Sequence, residues 1–163
     1  MIAPLDKDKY AVLSITQSGK LGLPMMDEYQ VPEGFRHYSG PSPAEDNIGP
    51  FFYRKSNDEL LLGMRATDKH ANGNGSVHGG VLLAFADYAV TMLALSGVSG
   101  ESCVTVSLNS NFMAAAQLGD WVTGSGEVVR RTGSMTFVRG QLTVDDATVL
   151  SFQAVARRLK RRD

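Results

Sequence analysis

Apolar and polar positions divide this chain into an irregular first third and a strongly patterned remainder. All six prolines (Pro4, Pro24, Pro32, Pro41, Pro43 and Pro50) fall within the first fifty residues. Proline removes a backbone donor and disrupts central strands. The regular core is therefore expected over 51–163, behind an arm, 1–50, that could carry a short helix around Asp8 to Gln17. From Phe51, "FFYRKS" and "ELLLGMRAT" flank Asn57-Asp58, a turn-favouring pair, and read as a hairpin. A Gly/Asn loop over 71–76 leads into an apolar run from about His78 to Leu95, ended by Ser96-Gly97 and the following Gly100. The run is apolar nearly all round, so a sheet should wrap it. Four strand candidates close the chain: "CVTVSLNSNFM", "WVTGSGEVVRR", "MTFVRGQLTV" and "TVLSFQAVARRL", with Asp145-Asp146-Ala147 as the last turn. In the first of them Val104, Val106 and Leu108 alternate with Thr105, Ser107 and Asn109, the two-residue period of a strand. A hairpin, one long helix and consecutive antiparallel strands make an α+β order.

Composition narrows the class. With 163 residues, 43% hydrophobic and 20% charged, the chain is long enough for one well-filled core and is not of disordered type. A net charge of −1 gives no global attraction to nucleic acid or an anionic membrane. One cysteine, Cys103, excludes an internal disulfide and reads as a small apolar strand residue. "MIAPLDKDKY" is charged where a secretory signal needs an apolar block, so a cytoplasmic protein is expected. The apolar run from Val81 to Leu95 is shorter than the ~20 residues of a membrane span, and Asp87 at its centre would cost roughly 2.5–3.5 kcal/mol there. No nucleophile elbow or phosphate loop occurs. "GNGSVH" resembles a dinucleotide fingerprint, but His78 occupies its last glycine position and no parallel units follow. His37, His70 and His78 lack metal-ligand spacing, so neither metal nor cofactor is expected.

Asp87 is the residue that the pattern does not absorb. An ionised carboxylate in an apolar helix is costly unless paired or hydrogen-bonded, which leaves a structural partner or catalysis open. His78, Gly79 and Gly80 stand where that helix begins, with bare amides and partial positive charge. Glycine there lets a ligand oxygen approach, which suits the developing oxyanion of an ester or thioester carbonyl, or it is a plain loop-to-helix turn. Asn72 can add an amide donor or serve the turn through its backbone freedom. Asp87 follows Gly79 by eight residues, about 12 Å along a helix. It cannot easily act on a carbonyl held by its own Gly79 amide. A second, oppositely running copy of the helix could supply the acid, which would make the enzyme at least a dimer.

The spacing N-x-x-G-x-x-H-G-G-x6-D, here Asn72, Gly75, His78, Gly79, Gly80 and Asp87, resembles hotdog-fold acyl-CoA thioesterases of the phenylacetate-degradation (PaaI) type, within the 4-hydroxybenzoyl-CoA thioesterase superfamily. "VTVSLNSNFMAAAQLGD" and "RTGSMTFVRGQL" are similar to the family's next strand and strand entry, so the likeness covers about Phe51 to Leu159. It departs at Ala114-Ala115-Ala116, where many relatives have proline. The resemblance implies a hotdog fold, an antiparallel sheet wrapped around a long central helix, in a homodimer or dimer of dimers with shared sites. It implies an acyl-CoA substrate hydrolysed to free acid and CoA. Asp87 would be general base or nucleophile, Gly79 the oxyanion donor and Asn72 a positioner of carbonyl or water; His78 would shape the turn. Thr105 falls where the family often orients the attacking water, or is simply a β-branched strand residue. Gly80, Arg131, Gly133 and Ser134 would meet CoA, and the basic tail Arg157, Arg158, Lys160, Arg161 and Arg162 could add phosphate contacts. A non-catalytic acyl-CoA sensor on the same fold would need no Asp87, and a hotdog dehydratase would place its histidine and acid differently. Phe85, Tyr88, Met92, Phe112 and Met113 are candidates for an acyl pocket or for core.

Overall fold

The computed structural model describes residues 23–38, 42–56 and 59–160. The helix expected at Asp8–Gln17, the turn pair Asn57-Asp58 and the basic residues Arg161 and Arg162 lie outside these.

Alternation of apolar and polar positions builds a seven-stranded antiparallel sheet, ordered β1-β2-β3-β5-β6-β7-β4. The strands are β1 (Arg36–His37), β2 (Phe51–Ser56), β3 (Glu59–Arg65), β4 (Glu101–Phe112), β5 (Trp121–Arg131), β6 (Met135–Val144) and β7 (Ala147–Lys160). The hairpin and all four later strands are where the sequence pattern puts them. Two short helices, α1 (Leu23–Glu28) and α2 (Pro43–Ile48), precede the long α3 (Gly79–Leu95). The sheet curls around α3, which packs on β3 through β7. Leu82, Phe85, Ala86, Ala89, Val90 and Leu93 of the helix are buried against Leu62, Met64, Val122, Val138, Leu142 and Leu150. Among the described residues no helix is long and apolar enough to cross a membrane. After Leu95 the chain leaves the helix through Gly97 at φ 74°, a left-handed conformation that glycine adopts without a Cβ penalty.

Two features differ from the sequence pattern. α3 is not enclosed all round: Gly80, Leu83, Ala84, Asp87 and Thr91 form one stripe that is exposed or half-exposed, with the i, i+3, i+4, i+7 spacing of a single helix face. The alternation in β4 is broken by a bulge between Thr105 and Ser107. Thr105 and Leu108 therefore pair with Ala156 and Ala154 on the inner face, whereas Val104 and Val106 are 48% and 57% exposed. A bulge places two residues opposite one and turns the face over.

The described part of the arm is stitched to this sheet. β1 pairs with β2, Arg36 opposite Tyr53. Phe35 is buried edge-on against Trp121 at 5.2 Å. Arg65 of β3 donates to the carbonyls of Tyr29, Gln30 and Gly119 and lies 5.2 Å over the Trp121 ring. α2 packs directly on α3.

Candidate active site

The loop before α3 is held from both sides. His70 is fully buried; its Nδ1 accepts from the Thr67 amide at 2.9 Å and its Nε2 donates to the Ile48 carbonyl at 2.6 Å. Its own carbonyl accepts from the His78 amide at 2.8 Å, and the Val77 amide donates to Ala116 at 2.9 Å. These bonds fix where α3 starts. His70 was not marked by the sequence as a site residue; its one signal is the Thr67-x-x-His70 capping box.

His78 caps the helix. Its Nδ1 accepts from the Gly80 amide at 2.9 Å, and its carbonyl accepts from the Val81 amide at 2.9 Å. A Cβ at position 80 would stand 3.0 Å from that imidazole nitrogen, so glycine makes room for the cap. With Leu82 also bonded to the His78 carbonyl at 3.4 Å, Gly79 carries the one first-turn amide without an acceptor among the described residues. A bare N–H at a helix N-terminus is an oxyanion donor by geometry and by dipole. The amide expected to meet ligand at Gly80 is already engaged by His78.

Asn72 is spent within its loop. Its Nδ2 donates to Ser76 Oγ at 2.9 Å and to the Val77 carbonyl at 3.5 Å, while Oδ1 accepts from the Asn74 and Ser76 amides. It shapes the turn that presents Gly79, and its side chain is not free to hold a carbonyl in this arrangement.

Asp87 lies on the open stripe of α3, exposed. Among the described residues no salt bridge reaches its carboxylate. Its charge is felt by its surroundings. Burial pushes the Glu45 carboxyl up from its ordinary value, and Asp87 adds to that push. Burial likewise raises the Cys103 thiol, again with help from Asp87. β4 runs along the same helix: Cys103 Sγ is 4.0 Å from the Thr91 carbonyl, and the Phe112 ring covers Gly79. Thr105 lies between those points, in the interval that includes Asp87, and its Oγ1 is buried without a hydrogen-bond partner.

The residues expected at the CoA end are only partly free. Arg131 donates to the carbonyl of Ser96 at 2.6 Å, capping α3. Arg158 pairs with Glu101 and donates to the carbonyls of Thr132 and Gly133, and its amide donates to Ser134. Arg157, opposite Met135 at the end of that loop, and Lys160, opposite Glu101, remain exposed. A solvent-open concavity of about 530 Å³, lined by Asn109, Gln141 and Gln153 among others, lies on the sheet face turned away from α3. None of the carbonyl-binding features is in it.

Comparison with known proteins finds relatives of the chain and of its fold. The family profile described as Thioesterase superfamily matches residues 74–151. A Pseudomonas aeruginosa protein named "Putative esterase PA0474" is 34% identical over 127 residues, which cover 77% of this chain and 95% of that one. Human acyl-coenzyme A thioesterase 13 is 27% identical over 85 residues, 52% of this chain and 61% of that protein's length. Among solved structures, the Escherichia coli PaaI protein from the phenylacetic acid degradation operon superposes with a TM-score of 0.65 at 20% identity, covering 73% of this chain and 86% of that one.

Proposed function

Because this chain belongs to the thioesterase superfamily, we propose that it hydrolyses an acyl-CoA or aryl-acyl-CoA thioester to the free acid and CoA, in sites shared by two subunits. One observation supports this reading most: among the described residues, α3 carries a Gly79 amide without an acceptor and a carboxylate, Asp87, without an ion pair. Their separation of about 12 Å is too long for one carbonyl.

Two copies of α3 packed antiparallel along their open stripes bring each Gly79 turn to the other chain's Asp87. The stripe suits such packing, since Gly80 and Ala84 are small enough for close approach. The thioester oxygen accepts from the Gly79 amide, which stabilises the charge of the tetrahedral intermediate. The partner subunit's Asp87 takes a proton as water oxygen bonds to the carbonyl carbon. The Thr105 hydroxyl, buried and unpartnered, orients that water. Collapse breaks the carbon–sulfur bond, and the sulfur leaves with the electron pair to become the CoA thiol on protonation. At the other end of α3, the Gly133-Ser134 loop with Arg131, Arg157 and Lys160 meets the nucleotide phosphates. A dimer of dimers is compatible with the exposed outer face of the sheet.

Hydrolysis of a panel of acyl-CoAs by wild type and Asp87→Asn tests the assignment. Loss of the base should lower turnover at least about a hundredfold. Unchanged turnover in a folded variant would reject it.

A further inference from the structure

Phe112 ends β4, thirty-three residues from Gly79 in sequence. In the sheet it pairs with the buried Leu150, on the row that faces α3. The residue nevertheless stays 54% exposed, and Met113 beside it is 65% exposed. The ring lies on the first turn of α3: a Cβ built on Gly79 would meet two of its atoms at 3.1 and 3.2 Å. A large apolar side chain left half in water, against the helix-start amide that has no acceptor among the described residues, marks a surface that another molecule covers.

We propose that Phe112 is a substrate-contacting, specificity-determining residue, the apolar wall of the carbonyl site, and that its ring is what restricts position 79 to glycine. This rests on the thioesterase reading above. Two consequences follow from its position. A thioester whose oxygen reaches the Gly79 amide must pass its sulfur or its first acyl carbons over the ring. Sulfur is polarisable and makes favourable contacts with aromatic edges, and the ring excludes water from the hydrogen bond that carries the developing charge. Position 79 is then constrained by the ring and not by the amide, because alanine would keep the N–H donor.

A double-mutant cycle separates these roles. Gly79→Ala, Phe112→Ala and the double variant are assayed on acetyl-CoA and benzoyl-CoA, with oligomeric state recorded for each. Gly79→Ala should lower kcat/KM about tenfold or more in the wild-type background and less than about threefold when Phe112 is already alanine, the non-additivity expected of touching groups. Phe112→Ala alone should raise KM and shift the benzoyl-to-acetyl ratio of kcat/KM by about tenfold, and Phe112→Tyr should restore both. Additive losses, or an unaltered substrate ratio, would overturn the proposal. So would a Phe112→Ala protein with a changed oligomeric state, because the ring would then belong to a subunit interface. A wild type inactive on the whole acyl-CoA panel would instead reject the thioesterase reading itself.

Discussion

At the residue scale the least conspicuous histidine does much of the positioning. His70 is 1% exposed, and both ring nitrogens are committed, one as acceptor and one as donor. That pattern requires the neutral ring. Burial lowers its pKa from the ordinary 6.5, the Ile48 carbonyl opposes that shift, and the Lys69 charge adds to it. The sign follows from linkage: between the depressed folded value and 6.5 the unfolded chain binds the extra proton, so stability rises with pH through that window. Melting temperature should be flat above about pH 7 and should fall as pH drops below about 6.5. In His70→Gln the overall stability is lower, but this part of the slope should flatten. An undiminished slope in that variant would assign the acid sensitivity elsewhere. Little of this was legible from a histidine whose one signal is the Thr67-x-x-His70 spacing of a capping box. The Asn72, His78, Gly79 and Asp87 spacing was legible, because helix geometry turns sequence offsets directly into distances. That Asn72 and the Gly80 amide are internally satisfied was not, since either could as easily have faced a ligand.

At the scale of elements, the strands and the long helix were readable because their periods differ, two residues against 3.6. The face of β4 was not readable, because a single bulged residue reverses the side on which everything after it lies. The bulge leaves Val104 and Val106 outward on β4, the last strand of the sheet among the described residues. An edge of this kind, with apolar side chains and open backbone groups, is suited to pairing with another chain. If β4 and the open stripe of α3 meet their symmetry mates, Val106→Lys should change the stability of the single-chain fold by less than about 0.5 kcal/mol while moving the protein to monomer. Light scattering coupled to size exclusion reads the mass, and thioester hydrolysis should fall with it. A monomer with full activity would contradict the shared site, and an intact dimer would place the interface off this strand.

Over the whole molecule, the question raised by Asp87 is answered by its setting. It is not an acid sunk in the core; it stands on the stripe of α3 that the described residues leave exposed or half-exposed. The described part of the arm is anchored on the sheet through Phe35 and Arg65, while its α2 packs on α3, with Glu45 near enough to feel the Asp87 charge. A two-fold dimer built on the stripe has two sites, each with Gly79 from one chain and Asp87 from the other. Gly79→Pro removes the amide hydrogen at a first helix position whose backbone accepts proline, its Cβ also pressing on the Phe112 ring, and Asp87→Asn removes the base, so each variant alone should be inactive. When the two are unfolded and refolded together in equal amounts, about half of the dimers are mixed, and each mixed dimer rebuilds one intact site out of two. Activity should return to about a quarter of the wild-type value per total protein. A site confined to one chain predicts no recovery at any mixing ratio.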